Sequence, residues 1–472
     1  MEESVRKLLD HIEGVLHLDG DQVVVKDEAQ LRDAMDQLVH QAVFGDGLQR
    51  EMARWLIWEA GQALGITPAS IHELYVAIGH GKVPAKFTVP AINVRGMNYI
   101  MSRAICRAAN ELNVGALIFE IARSEMGYTD QRPSEYIAAV TAAAIKEGFR
   151  GPLFIQGDHF QISASRYKSD PDKEVASLKE LIKEAVDAGF YNIDIDTSTL
   201  VDLGPEELDA QQRQNYEVCA KLTEYIREIE PEGVTVSVGG EIGEVGGHNS
   251  TVEELHAFMR GYNRALANYL PDVQGISKFS VQTGTSHGGV VLPDGTLADV
   301  KVDFDTLKEL SRVAREQYGL GGAVQHGAST LPPEAFDRFP QIGTLEIHLA
   351  TGFQNIIYDT APQEMVTAAY DHCRQELKDE WKEGKTEDQF LYSTRKKAFG
   401  ALKQQWWGLD DDPQERIGRT LQEQFEFLFD RLNVKETREV VTRTVSMQSL
   451  HRPRPTAGVR EEELEIASDL AD

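Results

Sequence analysis

Residues 151–160 read GPLFIQGDHF. An apolar run opens on Gly151 and Pro152, stops at Gly157, and is followed by an acid and an imidazole, Asp158 and His159. The stretch reads as a strand that delivers polar side chains at its C-terminal end. The same plan recurs in KFTVPAINV (86–94), GALIFEIA (115–122), NIDIDTS (192–198), VTVSVGGEIG (234–243), GISKFSVQTG (275–284), GAVQHGAS (322–329) and NIIYDT (355–360). Amphipathic segments such as 98–113, 172–189 and 303–319 lie between them, with apolar residues at helical spacing. Eight strands alternating with helices predict an α/β fold, a (β/α)8 TIM barrel, over residues 83–361. A doubly wound open sheet is the alternative, and it would leave the eighth strand without a closing role.

The flanks read differently. Residues 28–45 and 47–65 carry apolar residues at helical spacing and end in glycine, and TPASIHELYVAIGHGK (67–82) has a Thr cap, a first-turn Pro and a Gly stop. Residues 1–82 are therefore expected to form a helical N-terminal extension. Residues 362–447 are expected to form a helical C-terminal one, with Trp406 and Trp407 as packing residues. The stretch 448–472 has no apolar period and is expected to be mobile.

Bulk properties narrow the function. The net charge of −28 in 472 residues argues against nucleic acid and anionic membrane partners. No run of 18 apolar residues exists, and the start MEESVRKLLDHIEG lacks the features of a signal peptide. Cys106, Cys219 and Cys373 lie far apart, which fits a reducing compartment. These features predict a cytoplasmic protein. An anionic small substrate stays compatible, because backbone dipoles and a metal can reverse the sign of a cleft.

In such a barrel the reactive residues sit at the C-terminal ends of the strands. There the chain offers Asp158 and His159, then Glu241, Glu244 and His248, then His287, then His326 and Ser329, and last Asn355 and Asp359. Three imidazoles from three strands, His159, His287 and His326, suit a catalytic zinc with one open position. Ordinary loop histidines are the alternative reading, since spacing alone does not prove convergence. Asp158 reads as a general acid/base, or as a partner that orients the neighbouring imidazole. Both it and His159 reach one site only if the strand bends near Gly157. The turns GTSHGG (284–289) and HGAST (326–330) offer backbone N–H groups and hydroxyls fit for a phosphate.

These residues resemble the class II, metal-dependent ketose-bisphosphate aldolases, the fructose- and tagatose-bisphosphate enzymes. The resemblance spans FTVPAINV to NIIYDTAP and is most specific in GDH, GEIGEVGG, GTSHG and HGAS. It implies one catalytic Zn²⁺ per subunit on His159, His287 and His326, with room for a monovalent cation. Asp158 would be the acid/base and Glu241 the glutamate beside the metal. Gly284, Ser286, Gly288 and Ser329 would form phosphate-binding turns, and Asn355, with Asp359 near it, would orient the substrate. The implied reaction is reversible cleavage of a phosphorylated ketose to dihydroxyacetone phosphate and an aldehyde, through a metal-stabilised enediolate.

Several positions depart from the family. His248, Asn249 and Ser250 stand where it carries acidic loop residues, so His248, Glu253 or Glu254 is left to carry a second proton. Ile357 and Tyr358 follow Asn355 in place of an Asp–Thr pair. Glu120 and Ala122 replace a Gln and a Ser, and Arg123 follows as a candidate anion contact. IFEIARSEMGYT (118–129) is similar to the non-catalytic companion subunit of tagatose-bisphosphate aldolase. Hence two other readings stand beside the aldolase: a barrel that stabilises a separate catalytic subunit, and another metal-assisted lyase or epimerase. The expected partners are a phosphorylated sugar and further copies of the chain in a homo-oligomer.

Overall fold

The computed structural model describes residues 3–242, 248–270, 273–284, 292 and 301–456. Eight parallel strands close on themselves: β4 (Val89–Asn93), β5 (Ile118–Ala122), β6 (Gly151–Gln161), β7 (Asn192–Asp196), β8 (Ser237–Glu241), β9 (Lys278–Val281), β10 (Ala323–Gln325) and β11 (Glu346–Leu349). Each pairs with the next, and β11 returns to β4 through Glu346↔Val89 to Leu349↔Ile92. This is a (β/α)8 barrel. Helices follow the strands because their apolar stripes must be covered; in the helix Pro171–Ala188, Val175, Leu178, Leu181, Ile182 and Ala185 are buried. No helix among the described residues is long and apolar enough to cross a membrane.

Three segments differ from the sequence reading. The eighth strand is Glu346–Leu349, and NIIYDT belongs to the helix Thr351–Thr360. Its β-prone residues are helical because Ile357 and Tyr358 are buried, Tyr358 against Phe399 and Trp406, whose rings lie 5.4 and 5.5 Å away. The N-terminal extension is not all helix. It holds an antiparallel hairpin, β1 (Leu16–Asp19) with β2 (Gln22–Val25), and an extra parallel strand, β3 (Ile66–Ala69). β3 takes the early part of β6, and β7 pairs with the later part from Gln156 onward. Its Pro68 is tolerated because β3 is an edge strand. The helix His72–Gly79 follows, and the Tyr75 hydroxyl donates to Glu346 inside the barrel. The N-terminal segment thus reaches the barrel interior.

The third difference is the C-terminal stretch. Residues 448–456 pack on the helix Gly47–Ala63: the indole N–H groups of Trp55 and Trp58 donate to the carbonyls of Arg452 and Leu450 at 2.9 and 2.7 Å. Arg452 covers the Trp58 ring at 3.4 Å and donates to the carbonyls of Asp187 and Ala188. Residues 457–472 lie outside the described residues. Trp406 is buried, and Trp407 stacks on Tyr99 at 6.2 Å, both as packing residues. The three cysteines are buried and unpaired.

Candidate active site

β6 is the strand on which the site turns. Its Gln156 pairs with Asn192 and Gly157 with Ile193, but Phe160 pairs with Ile195, so β6 spends one residue more than β7. This is a β-bulge, and His159 takes a left-handed φ of 40° within it. On a regular strand Asp158 and His159 would face opposite sides. The bulge brings both to the same cleft. Gly157 is required here, because a Cβ on it would stand 2.4 Å from the Phe160 ring.

The cleft is about 930 Å³ and opens at the C-terminal mouth of the barrel. Asp158, His159, Glu241, His326, Ser329 and Arg123 line it, together with Asp196, Glu120 and His348. His159 Nδ1 lies 3.1 Å from Asp196 Oδ2 and 3.6 Å from Glu241 Oε2. The rings of His159 and His326 are 4.5 Å apart between centroids, and those of His326 and His348 4.1 Å. His326 Nε2 and Ser280 Oγ are hydrogen-bonded at 2.9 Å.

Charge follows from this crowding. Burial raises Glu241, and Asp196 adds to it, so its carboxyl is pushed up to about 8 against the pull of His159. Burial also works to raise Asp158, but His159 and His348 outweigh it and hold the carboxyl well below the usual range. Burial opposes charge on His159, yet Asp158, Asp196 and Glu241 hold its pKa well above the ordinary value. An ionised base thus faces a protonated acid across one cleft, an arrangement suited to moving two protons.

The remaining sequence candidates fall in different places. His287, Ser286 and Gly288 lie outside the described residues, as does Glu244. Gly284 is described and has φ 90°. The Ser329 hydroxyl accepts the N–H of Ala350 at 2.5 Å, which ties the turn after β10 to the end of β11. Arg123 lines the cleft, but its guanidinium binds the Gln161 carbonyl at 2.7 Å and Glu174 at 3.0 Å, so it braces the end of β6. His248 is exposed and pairs with Glu254 at 3.3 Å, away from the cleft lining. Glu254 is committed to the capping box with Thr251, and Glu253 is exposed. Asn355 and Asp359 sit on the helix after β11 rather than at a strand end. Asn355 bonds Tyr392 and Arg395, Asp359 is exposed, and neither lines the cleft.

Four site residues went unread in the sequence: Asp194, Asp196, Glu346 and His348. Each pair is spaced by two on a strand, which places both members on one face. Asp194 meets Lys278 Nζ at 2.9 Å, and Lys278 also bonds Glu346 and Gln156 at 2.5 and 2.7 Å. Gly239 makes room for this buried pair, since a Cβ would stand 2.3 Å from Asp194 Oδ1. Burial works against the charge on Lys278, but Asp194 and Glu346 outweigh it and raise its pKa.

The donors suit a divalent metal. His159, Asp196 and Glu241 present ligand atoms within 4.8 Å of one another, as do Asp158, His326 and His348. Nitrogen and carboxylate donors of this mix fit zinc and its neighbours. Asp158 Oδ1 is buried without a hydrogen-bond partner.

Residues 83–404 match the model of the family described as "Fructose-bisphosphate aldolase class-II". No curated protein matches the sequence. Among solved structures, a probable tagatose 6 phosphate kinase from Sinorhizobium meliloti is 16% identical, covering 77% of this chain and 95% of its own with a TM-score of 0.49. A fructose-bisphosphate aldolase from Campylobacter jejuni is 16% identical, covering 79% and 97% with a TM-score of 0.46.

Proposed function

From the premise that this chain belongs to the class-II fructose-bisphosphate aldolase family, we propose that it is a zinc-dependent aldolase that reversibly cleaves a phosphorylated ketose. The products are dihydroxyacetone phosphate and an aldehyde. The observation that supports this most is the meeting of Asp158, His159, Glu241 and His326 at one barrel mouth.

His159 and His326 are the described imidazoles that would hold the metal, with His287 as the third ligand. The metal supplies Lewis-acid stabilisation of the negative charge left when a C–C bond beside a carbonyl breaks. The residues do the rest. Asp158, ionised at neutral pH, takes the proton of the C4 hydroxyl as the C3–C4 bond opens and C4 becomes the aldehyde. The bonding electrons stay on C3. Glu241 retains its proton up to about pH 8 and delivers it there. The turns after β9 and β10 carry Gly284, Ser286, Gly288 and Ser329, and grip the phosphate, positioning the reacting carbons. We also propose that it acts in the cytoplasm as a homo-oligomer; light scattering after gel filtration tests the assembly, and fractionation of the cell tests the location.

The test is a panel of ketose phosphates incubated with zinc-loaded protein, with triose phosphate release as readout. Release from at least one substrate, reduced about 10²–10⁴-fold in Asp158→Asn, is expected. Protein that stays inactive after zinc is added overturns the proposal. Turnover that appears only with a second aldolase subunit would favour the companion-subunit reading, which the similarity of residues 118–129 motivates.

A further inference from the structure

Tyr75 belongs to the N-terminal extension, yet its side chain ends inside the barrel. The segment before it is fixed there. β3 pairs with β6, and Asn192 of β7 accepts the N–H of Ile71 at 2.9 Å and donates to the carbonyl of Ala69 at 3.2 Å. The helix His72–Gly79 then carries Tyr75, fully buried, to Glu346 of β11. The Tyr75 hydroxyl donates to Glu346 Oε2. The other oxygen, Oε1, accepts from Lys278 Nζ at 2.5 Å and Gln156 Nε2 at 3.1 Å, and lies 2.7 Å from His348 Nε2.

From Glu346 the contacts run on to the base. His348 stands two residues further along β11, and its Nδ1 lies 3.0 Å from Glu120 Oε2 and 3.2 Å from Asp158 Oδ1. The ring is a bridge at ion-pair distance, with Glu346 on one side and Asp158 on the other. Asp158 keeps Oδ1 turned to it, which leaves Oδ2 for the C4 hydroxyl. Stability alone does not call for such a network, because apolar residues of similar volume often fill an interior equally well. What it supplies is direction: each group fixes its neighbour, and the last in the line is the one that meets the substrate.

We propose that Tyr75 is a positioning residue of the reaction: through Glu346 and His348 it fixes the orientation of Asp158, so the N-terminal extension completes the active site. This rests on the aldolase reading, with Asp158 as its base. Without the hydroxyl, Glu346 Oε2 is a buried oxygen left with no donor among the described residues. Leaving a buried acceptor unsatisfied is expensive, and more so for a charged one. The carboxylate therefore turns to share the donors of Oε1, His348 loses its fixed partner, and Asp158 loses the group that aims it.

The experiment compares steady-state triose phosphate release by zinc-loaded full-length wild type, Tyr75→Phe and Tyr262→Phe across the ketose phosphate panel. Tyr262 is also fully buried, and its hydroxyl donates to Thr223 at 3.0 Å between the helices Leu208–Ile229 and Val252–Tyr269. Tyr262→Phe thus loses a comparable bond without touching the network. Tyr75→Phe is expected to lower kcat roughly 10-fold or more, with KM within about twofold of wild type and zinc content unchanged. Tyr262→Phe is expected to keep the wild-type kcat. In a Glu346→Gln background, Tyr75→Phe should cost almost nothing further, because both changes break the same link. Should Glu346→Gln fail to fold, the first comparison decides. Wild-type kcat in Tyr75→Phe, a loss confined to KM, an equal loss in Tyr262→Phe, or fully multiplicative losses in the double variant overturns the inference and leaves the aldolase standing. A wild type that cleaves no member of the panel overturns both.

Discussion

Gly157→Ala is the sharpest perturbation of the site, because it adds one methyl group and removes no reactive atom. The new Cβ would stand 2.4, 2.5 and 3.0 Å from three carbons of the Phe160 ring. Phe160 is fully buried, so its ring cannot swing into solvent. Either the ring leaves its rotamer or the bulge flattens. Overpacking of this kind costs about 1–3 kcal/mol. The melting temperature should then fall by several degrees, at about 2–4 °C per kcal/mol. Activity should fall further than stability predicts. The bulge carries the extra residue that turns His159 to φ 40° and brings it to the cleft with Asp158. Displacement of such groups by about 1 Å costs roughly 10²-fold in rate. Three assays report together: a thermal melt, zinc content, and triose phosphate release. The expected pattern is a modest melt shift, impaired zinc retention and a rate loss near two orders of magnitude. Phe160→Leu in the same chain relieves the clash and should recover part of the rate, a coupling that a double-mutant cycle measures. Wild-type rate and zinc content in Gly157→Ala would refute the claim that the bulge sets the site.

Other consequences are independent of the bulge. Glu241 must hold a proton to act as an acid, and that proton leaves as pH rises through about 8, so kcat should fall on the alkaline side; Glu241→Gln should be slow at every pH and lack that limb. Burial and then Arg227 lower His72 to about 4, so the native state resists its protonation while the unfolded chain accepts it near 6.5. Stability should therefore rise with pH between about 4 and 6.5, by up to about 3 kcal/mol from this group, and urea titrations of His72→Gln should show a flatter profile over that window. Arg452→Ala removes the cation over Trp58 and two carbonyl contacts, and should lower stability by about 1–2 kcal/mol with triose phosphate release unchanged, read by a melt and the same rate assay.

How much of this was legible depends on which force governs each segment. Seven strand ends could be read because apolar runs closed by polar residues are what a barrel wall requires. The bend at Gly157 was also visible, as a glycine ahead of an Asp–His pair that needs one cleft. The eighth strand was not legible, because EIHL carries two charged side chains into the interior. Lys278, Tyr75 and the other strands satisfy Glu346, and none of these neighbours is near it in sequence. NIIYDT was the natural substitute, with β-branched residues and an asparagine, yet its burial against Phe399 and Trp406 makes it a helix. Tertiary packing outweighed local preference there.

The same reason explains which site residues were found. Asp158, His159, Glu241 and His326 stand beside glycines in short motifs, so their role leaves a local trace. Asp194 and Asp196 in NIDID, like Glu346 and His348 in EIHL, show only an alternation of acid or imidazole with an apolar residue. That alternation means two polar groups on one face of a strand. In a barrel closed on both sides, such a face can only be the interior. Two charged residues at that spacing in a barrel strand therefore imply a paired or metal-bound core, because an interior charge without a partner would be too costly to keep. By that logic Glu346 and His348 had to be interior and paired, as their contacts with Lys278 and Glu120 across the barrel show.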